Sequence, residues 1–174
     1  KMMDPSLIIY MPVKVSDKGI IISNGDQTDT IYDSFLQEET FFEALQKRTF
    51  EPDPPHYTPR ISGLLTKGYQ EYYLSIIKSN QKDDTQTERM LFSYENTVAG
   101  IGHFIHTYEK EEEGQLISFQ GEPKRLSFQG KIEDFSSDLW NSLDSDNKIS
   151  LMVRYIDKQT GASQTILKNK HHGE

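Results

Sequence analysis

In Ile20-Ile-Ile-Ser-Asn-Gly-Asp-Gln-Thr-Asp-Thr30 a β-prone apolar run ends in a dense polar turn, and a helix pattern begins. Ile20 to Ser23 read as a strand, and Asn24-Gly25 turns the chain sharply. Beyond it, Ile31, Phe35, Phe42 and Leu45 lie roughly on one helical face, with Leu36 and Phe41 flanking. Asp26 or Thr28 is placed to cap that helix, and Asp29 stands in its first turn, where negative charge suits the dipole. Residues 37–40 are a polar break, so residues 26–50 read as one helix or two shorter ones.

Outward from this stretch the pattern is mostly strand. Residues 7–15 read as a strand on Leu7, Ile8, Ile9, Tyr10, Val13 and Val15. Pro12 lacks a donor and marks an edge or a bulge. Ser16-Asp-Lys-Gly19 closes a hairpin onto residues 20–23. Residues 51–59 hold four of the seven prolines and read as a stiff, extended connector. Residues 60–66 and 69–78 form a hairpin across Lys67-Gly68, residues 79–88 a mobile polar loop, and residues 89–94 and 101–108 further strands. Residues 109–114 read as a solvated acidic turn, residues 132–143 as an amphipathic helix, and residues 149–156 with 163–167 as a final hairpin. Strand pairs interrupted by two helical stretches predict an α+β fold with mainly antiparallel sheets, one domain over residues 1–174, and a flexible tail at 168–174.

Composition narrows the function classes. A formal net charge of -8 and a pI near 5.1 argue against a general nucleic-acid or anionic-membrane surface. Without cysteine there is no disulfide, zinc–thiolate site or cysteine nucleophile, which suits a reducing, cytoplasmic setting. No apolar run approaches the roughly 20 residues of a membrane span. His103 and His106, three apart in a strand, face opposite sides and argue against a shared metal.

Three polar clusters at the ends of apolar runs suggest a pocket at strand ends. Tyr10 and Lys14 lie four apart and face the same side of a regular strand. A lysine among apolar neighbours is either a functional amine with a partner or a side chain that snorkels to the surface. The turn Asn24, Gly25 and Asp26 with Thr28 opens a helix, the kind of place that binds phosphate; plain capping accounts for Asp26 and Thr28 equally well. Glu51 precedes the proline connector, and Thr58 and Arg60 flank its last proline. An arginine delivered to the head of a strand suits an anion clamp, or an ordinary surface ion pair. The residues alone lead to an α+β domain with a candidate anion pocket.

Asp4-Pro-Ser-Leu-Ile-Ile-Tyr10, Val13-Lys14-Val15, Ser23-Asn-Gly-Asp-Gln-Thr-Asp-Thr30, Tyr57-Thr-Pro-Arg-Ile61 and residues 102–108, in that order and spacing, resemble the archaeal-type IMP cyclohydrolase family. The resemblance implies a four-layer αββα sandwich of the N-terminal-nucleophile-hydrolase type. It implies closure of the purine ring, in which 5-formamidoimidazole-4-carboxamide ribonucleotide loses water to give IMP, with neither metal nor organic cofactor. Tyr10 and Glu51 match positions assigned to that family's active site, and Lys14 matches a motif residue that suits charge stabilisation. Asn24, Gly25, Asp26, Thr28, Thr58, Arg60, His106 and Tyr108 are the substrate-binding expectations, for a purine ribonucleotide. By the resemblance a further N-terminal segment is expected ahead of Lys1-Met2-Met3-Asp4, absent from the sequence as it stands. A purine-nucleotide-binding or regulatory module without catalysis is the alternative, and a homo-oligomer fits either reading.

Overall fold

The computed structural model describes residues 9–80, 83–112 and 114–171. It is α+β with antiparallel pairing, and the chain divides into two compact units: residues 1–97 with 103–125, and residues 98–102 with 126–174.

The first unit is built on one five-stranded antiparallel sheet, ordered β1 (Val13–Val15), β2 (Gly19–Ser23), β3 (Arg60–Thr66), β4 (Tyr72–Asn80) and β5 (Asp83–Tyr94). Between β2 and β3 the chain forms α1 (Gln27–Leu36) and α2 (Phe41–Gln46). Both helices lie against one face of the sheet. Ile21, Leu64 and Ile77 on the strands meet Ile31, Phe35, Phe41, Ala44 and Leu45 on the helices, with Tyr32 and Tyr73 packed alongside. Alternation along each strand puts Ile21 and Ser23, then Arg60, Ser62 and Leu64, on this covered face. The polar side chains at the head of that row therefore start where the apolar core stops.

The polar break at 37–40 does separate two helices. Thr40 caps α2, accepting from the Glu43 N–H at 3.2 Å while Glu43 Oε2 accepts from the Thr40 N–H at 2.8 Å, a reciprocal capping box. Arg89 of β5 donates to the carbonyls of Leu45 and Arg48 at 3.3 and 2.6 Å and closes the other end of the helix.

Several sequence expectations need correction. Strand β1 spans only Val13–Val15; Ile9 to Pro12 are not in a strand, and the part of the expected strand before Ile9 lies outside the described residues. The stretch expected as a mobile loop at 79–88 is mostly strand: β4 continues to Asn80 and β5 starts at Asp83, with Lys78 paired to Glu88 and Ser79 to Thr87. The expected acidic turn at 109–114 is largely β7 (Tyr108–Glu112), paired with β8 (Gln115–Ser118), and β6 (Ile101–Phe104) ends before His106. These strands expose most of their side chains, so polar residues fill them without an apolar alternation to betray them.

Strand β9 (Lys124–Ser127) follows β8 along the chain. The second unit holds α3 (Ile132–Ser142) and the hairpin of β10 (Ser150–Ile156) and β11 (Ser163–Asn169), as expected apart from the last residues. Lys168 and Asn169 continue β11 rather than fray, and residues 172–174 lie outside the described part. Ile132 and Val153 are its buried centre, beside the rings of Phe128, Phe135 and Tyr155. Among the described residues, no helix is long and apolar enough to cross a membrane.

Candidate functional site

The connector between α2 and β3 builds the site. It is not extended. The Glu51 N–H donates to the Thr58 carbonyl at 3.0 Å, so the ends of the proline segment meet like the base of a hairpin. Pro54 and Pro55 are joined by a cis peptide bond in the turn between them. Asp53 closes the loop: its backbone carbonyl accepts from His56 at 3.0 Å, and its carboxylate accepts from the Thr58 N–H at 2.7 Å and the Thr58 hydroxyl at 2.5 Å. The Thr58 hydroxyl in turn meets the Tyr108 hydroxyl at 2.8 Å.

Glu51 is 8% exposed. Burial raises its pKa; Arg60 and Arg48 pull the other way, and Asp53 and Asp26 add to the rise. Two phenols feel that carboxylate. Burial and then the Glu51 charge hold the Tyr10 phenol above its ordinary pKa. Tyr108 is raised by burial first, and the charges of Asp53 and Glu51 reinforce the rise. Glu51, Thr58 and Tyr108 thus form one hydrogen-bonded cluster, the Glu51 charge also reaches the Tyr10 phenol, and both tyrosines are kept protonated.

Arg60 lies under the cluster at 4% exposure. Its Nη1 donates to Asp26 Oδ1 at 2.6 Å, Gln27 Oε1 at 2.9 Å and Glu51 Oε1 at 3.4 Å, and its Nε donates to the Thr49 carbonyl at 3.1 Å. The expected anion clamp is therefore turned inward, where a guanidinium fork serves several fixed acceptors at once. Asp26 occupies the N-cap position of α1 without capping it. Its carboxylate goes instead to Arg60 and to Arg48 at 2.5 Å, because charge-assisted bonds outcompete a neutral amide donor.

Asn24, Gly25 and Thr28 are structural parts of the same wall. The Asn24 amide donates to the Pro59 carbonyl at 2.9 Å, and its oxygen accepts from the Ile61 N–H at 2.8 Å and from Gln27 at 3.0 Å. Thr28 is fully buried; its hydroxyl donates to the Gly25 carbonyl at 3.0 Å and contacts the Ser23 hydroxyl. At Gly25 a Cβ would stand 2.6 Å from Gln27 Oε1, 2.8 Å from Arg60 Nη1 and 3.0 Å from Glu51 Oε1. Only glycine lets the turn's backbone come this close to the buried charges.

Lys14 and His106 sit apart from these contacts. The Lys14 ammonium pairs with Asp29 of α1 at 2.6 Å and lies 4.9 Å from the Tyr32 ring centroid. The His106 ring stands edge-on to Phe119 and holds the Tyr108 carbonyl through Nδ1 at 2.6 Å. It positions the backbone of Tyr108 rather than entering the cluster. His103 faces Tyr72 and Tyr94, with Tyr72 paired to Leu65 five residues along β3 from Arg60, roughly 17 Å away along the strands.

Reading the sequence missed Asp53, Gln27 and Arg48. Asp53 had a signal: an Asp followed by two prolines, with Thr58 five residues on, is turn chemistry in which the carboxylate caps free N–H groups. Gln27 and Arg48 had none, since both act through tertiary contacts.

The arrangement offers a buried carboxyl with a raised pKa whose charge reaches two protonated phenols, beside the fixed charges of Arg60 and Asp26. That set can donate hydrogen bonds to a developing oxyanion and move a proton beside it. The model of the IMP cyclohydrolase-like protein family matches residues 1–160. The IMP cyclohydrolase of Methanocaldococcus jannaschii is 26% identical over 155 residues, which cover 87% of this chain and 67% of that protein. The motifs around Tyr10, Gly25, Glu51 and Arg60 all fall inside the matched span, and the chain belongs to the IMP cyclohydrolase-like family.

Proposed function

We propose that the chain is an IMP cyclohydrolase of purine biosynthesis, an enzyme of the cytoplasm. In this reading it closes the ring of 5-formamidoimidazole-4-carboxamide ribonucleotide with loss of water. The observation that carries the reading is Glu51, a buried carboxyl with raised pKa whose charge reaches both Tyr10 and Tyr108. The fold we assign with it is the four-layer αββα sandwich, of which the five-stranded sheet and its two covering helices supply one α layer and one β layer.

The reaction needs little beyond geometry and proton transfer. The carboxamide nitrogen attacks the formyl carbon of the same molecule, so holding the two groups in near-attack geometry supplies several kcal/mol of the barrier. The formyl oxygen gains negative charge, and the Tyr10 O–H, kept protonated by its raised pKa, donates to it. Glu51 takes the proton that the carboxamide nitrogen releases on attack and delivers it to the former formyl oxygen, giving a hydroxyl; the formamido N–H proton, carried the same way, then reaches that hydroxyl, which leaves as water as the C=N bond forms. A carboxyl titrating above its ordinary range suits both halves of that exchange. To Lys14, held by Asp29, we assign the positive charge that offsets the developing oxyanion. Arg60, Asp26, Asn24, Gly25 and Thr28 hold the wall in register, while Thr58, Tyr108 and His106 shape the side that meets the base.

The test is direct. The purified protein is given the formamido ribonucleotide, and IMP is followed by its absorbance. We expect conversion by the wild type and a loss of at least about tenfold in Tyr10→Phe. IMP binding without conversion would favour a nucleotide-binding module on the same fold. Full turnover by Tyr10→Phe would remove Tyr10 from the mechanism.

A further inference from the structure

The proton count at Thr58 fixes more than a loop. Its hydroxyl has one proton and two neighbours, Asp53 Oδ2 at 2.5 Å and the Tyr108 hydroxyl at 2.8 Å. An ionised carboxylate can only accept, so the Thr58 proton goes to Asp53. The remaining contact must then be made by the Tyr108 proton, donated to Thr58 Oγ1. Once that proton is directed inward, the Tyr108 oxygen has only lone pairs to present elsewhere.

We propose that Asp53 is a positioning residue: by holding the Thr58 hydroxyl proton it commits the Tyr108 hydroxyl to donate inward, so that Tyr108 meets a ligand as a hydrogen-bond acceptor. The ligand group it accepts from is an N–H donor, such as a carboxamide or a ring N–H. This last step rests on the proposed function; the direction of the Asp53–Thr58–Tyr108 chain does not. The two phenols beside Glu51 thereby differ in kind. Among the described residues, no acceptor takes the Tyr10 proton as Thr58 takes that of Tyr108.

The charged groups facing the Tyr108 phenol are Asp53 and Glu51; His106 holds its backbone carbonyl. Both carboxylates favour the neutral phenol. Thr58 would favour the phenolate only if its proton were free to turn, and Asp53 holds it.

The test reads the sign of a titration shift, without any turnover. Protein carrying 13Cζ-labelled tyrosine is titrated by NMR, and Tyr108→Phe assigns the resonance. In the natural background Thr58 stabilises the neutral phenol as an acceptor, so Thr58→Val is expected to lower the Tyr108 pKa, and Thr58→Ser to leave it near wild type. In Asp53→Asn the amide oxygen must still face the Thr58 N–H, so the amide nitrogen donates to Thr58 Oγ1 and frees its proton for Tyr108. There Thr58→Val is expected to raise the Tyr108 pKa. Opposite signs in the two backgrounds support the chain; the same sign in both, or no shift, overturns it. Should Asp53→Asn fail to fold, the natural background still decides: a fall on Thr58→Val that Thr58→Ser restores supports the proposal, and a rise or no change overturns it. A sign reversal in a protein that does not make IMP would leave this inference standing while removing the proposed function.

Discussion

Glu51 Oε1 lies 3.4 Å from Arg60 Nη1, yet the carboxyl's pKa stands above its ordinary value. The guanidinium is shared: Asp26 takes the shorter contact at 2.6 Å, and burial of Glu51 outweighs what attraction remains. Arg60 therefore anchors Glu51 without forcing it to ionise, which is what a proton carrier requires.

A stability consequence follows, with its sign fixed by the direction of the shift. Because the folded-state pKa of Glu51 is raised, its protonated form favours the native state. That contribution is fully present below the ordinary value of 4.5 and is lost as pH rises through the folded pKa. Glu51→Gln removes the titration. Urea unfolding from acid to neutral pH should show the wild type losing stability relative to the variant over that window, and the variant at least as stable at neutral pH.

Arg60 should be far less tolerant. Arg60→Met leaves the buried Glu51 without its guanidinium and the half-buried Asp26 with Arg48 alone. Removing one partner of such a network costs about 3–5 kcal/mol. Denaturant unfolding should show a loss of that order, and Arg60→Lys should recover only part of it, since one ammonium cannot reproduce the fork.

Gly25→Ala tests the close approach of the turn. Its Cβ would press on Gln27 Oε1, Arg60 Nη1 and Glu51 Oε1, so the carboxyl and guanidinium must move. Overpacking of this kind costs about 1–3 kcal/mol. The activity loss should exceed what the stability loss explains, with kcat falling more than KM rises, because Glu51 is displaced from the reacting atoms.

Lys14 separates charge from structure. Its pair with Asp29 is partly solvent-exposed, so Lys14→Met should change unfolding free energy by less than ~1 kcal/mol. Under the proposed mechanism turnover should nevertheless fall roughly tenfold or more.

The parts of the fold that the sequence disclosed are those with one buried face. Ile31 and Phe35 of α1 lie at helical spacing because both enter the core, as Leu45 of α2 does, and Ile21, Leu64 and Ile77 meet them from the sheet; on α2 it is Phe41 that is buried and Phe42 that faces solvent. The polar first half of β5, residues 83–88, and the acidic β7 escaped notice because solvent covers most of their side chains, and pairing through the backbone leaves no trace in residue type, whereas residues 89–94 of β5 read as strand. The site was legible as a set of residues and not as a set of roles. Glu51, Thr58 and Arg60 were singled out together because a proline segment joins them. That Arg60 faces inward depends on Asp26, thirty-four positions away in sequence, choosing two arginines over its own helix end. Asp53 could have been read from its turn; its control of a hydroxyl proton on Tyr108 could not.

The central claim is that Tyr10 and Glu51 act on one reacting centre. The most direct measurement is a double-mutant cycle of turnover of the formamido ribonucleotide, with Tyr10→Phe, Glu51→Gln and the pair. The account predicts large losses in both single variants and a double variant hardly slower than the worse of them, since groups that act as a unit are not additive. Losses that simply multiply, or a single variant at the wild-type rate, would contradict it.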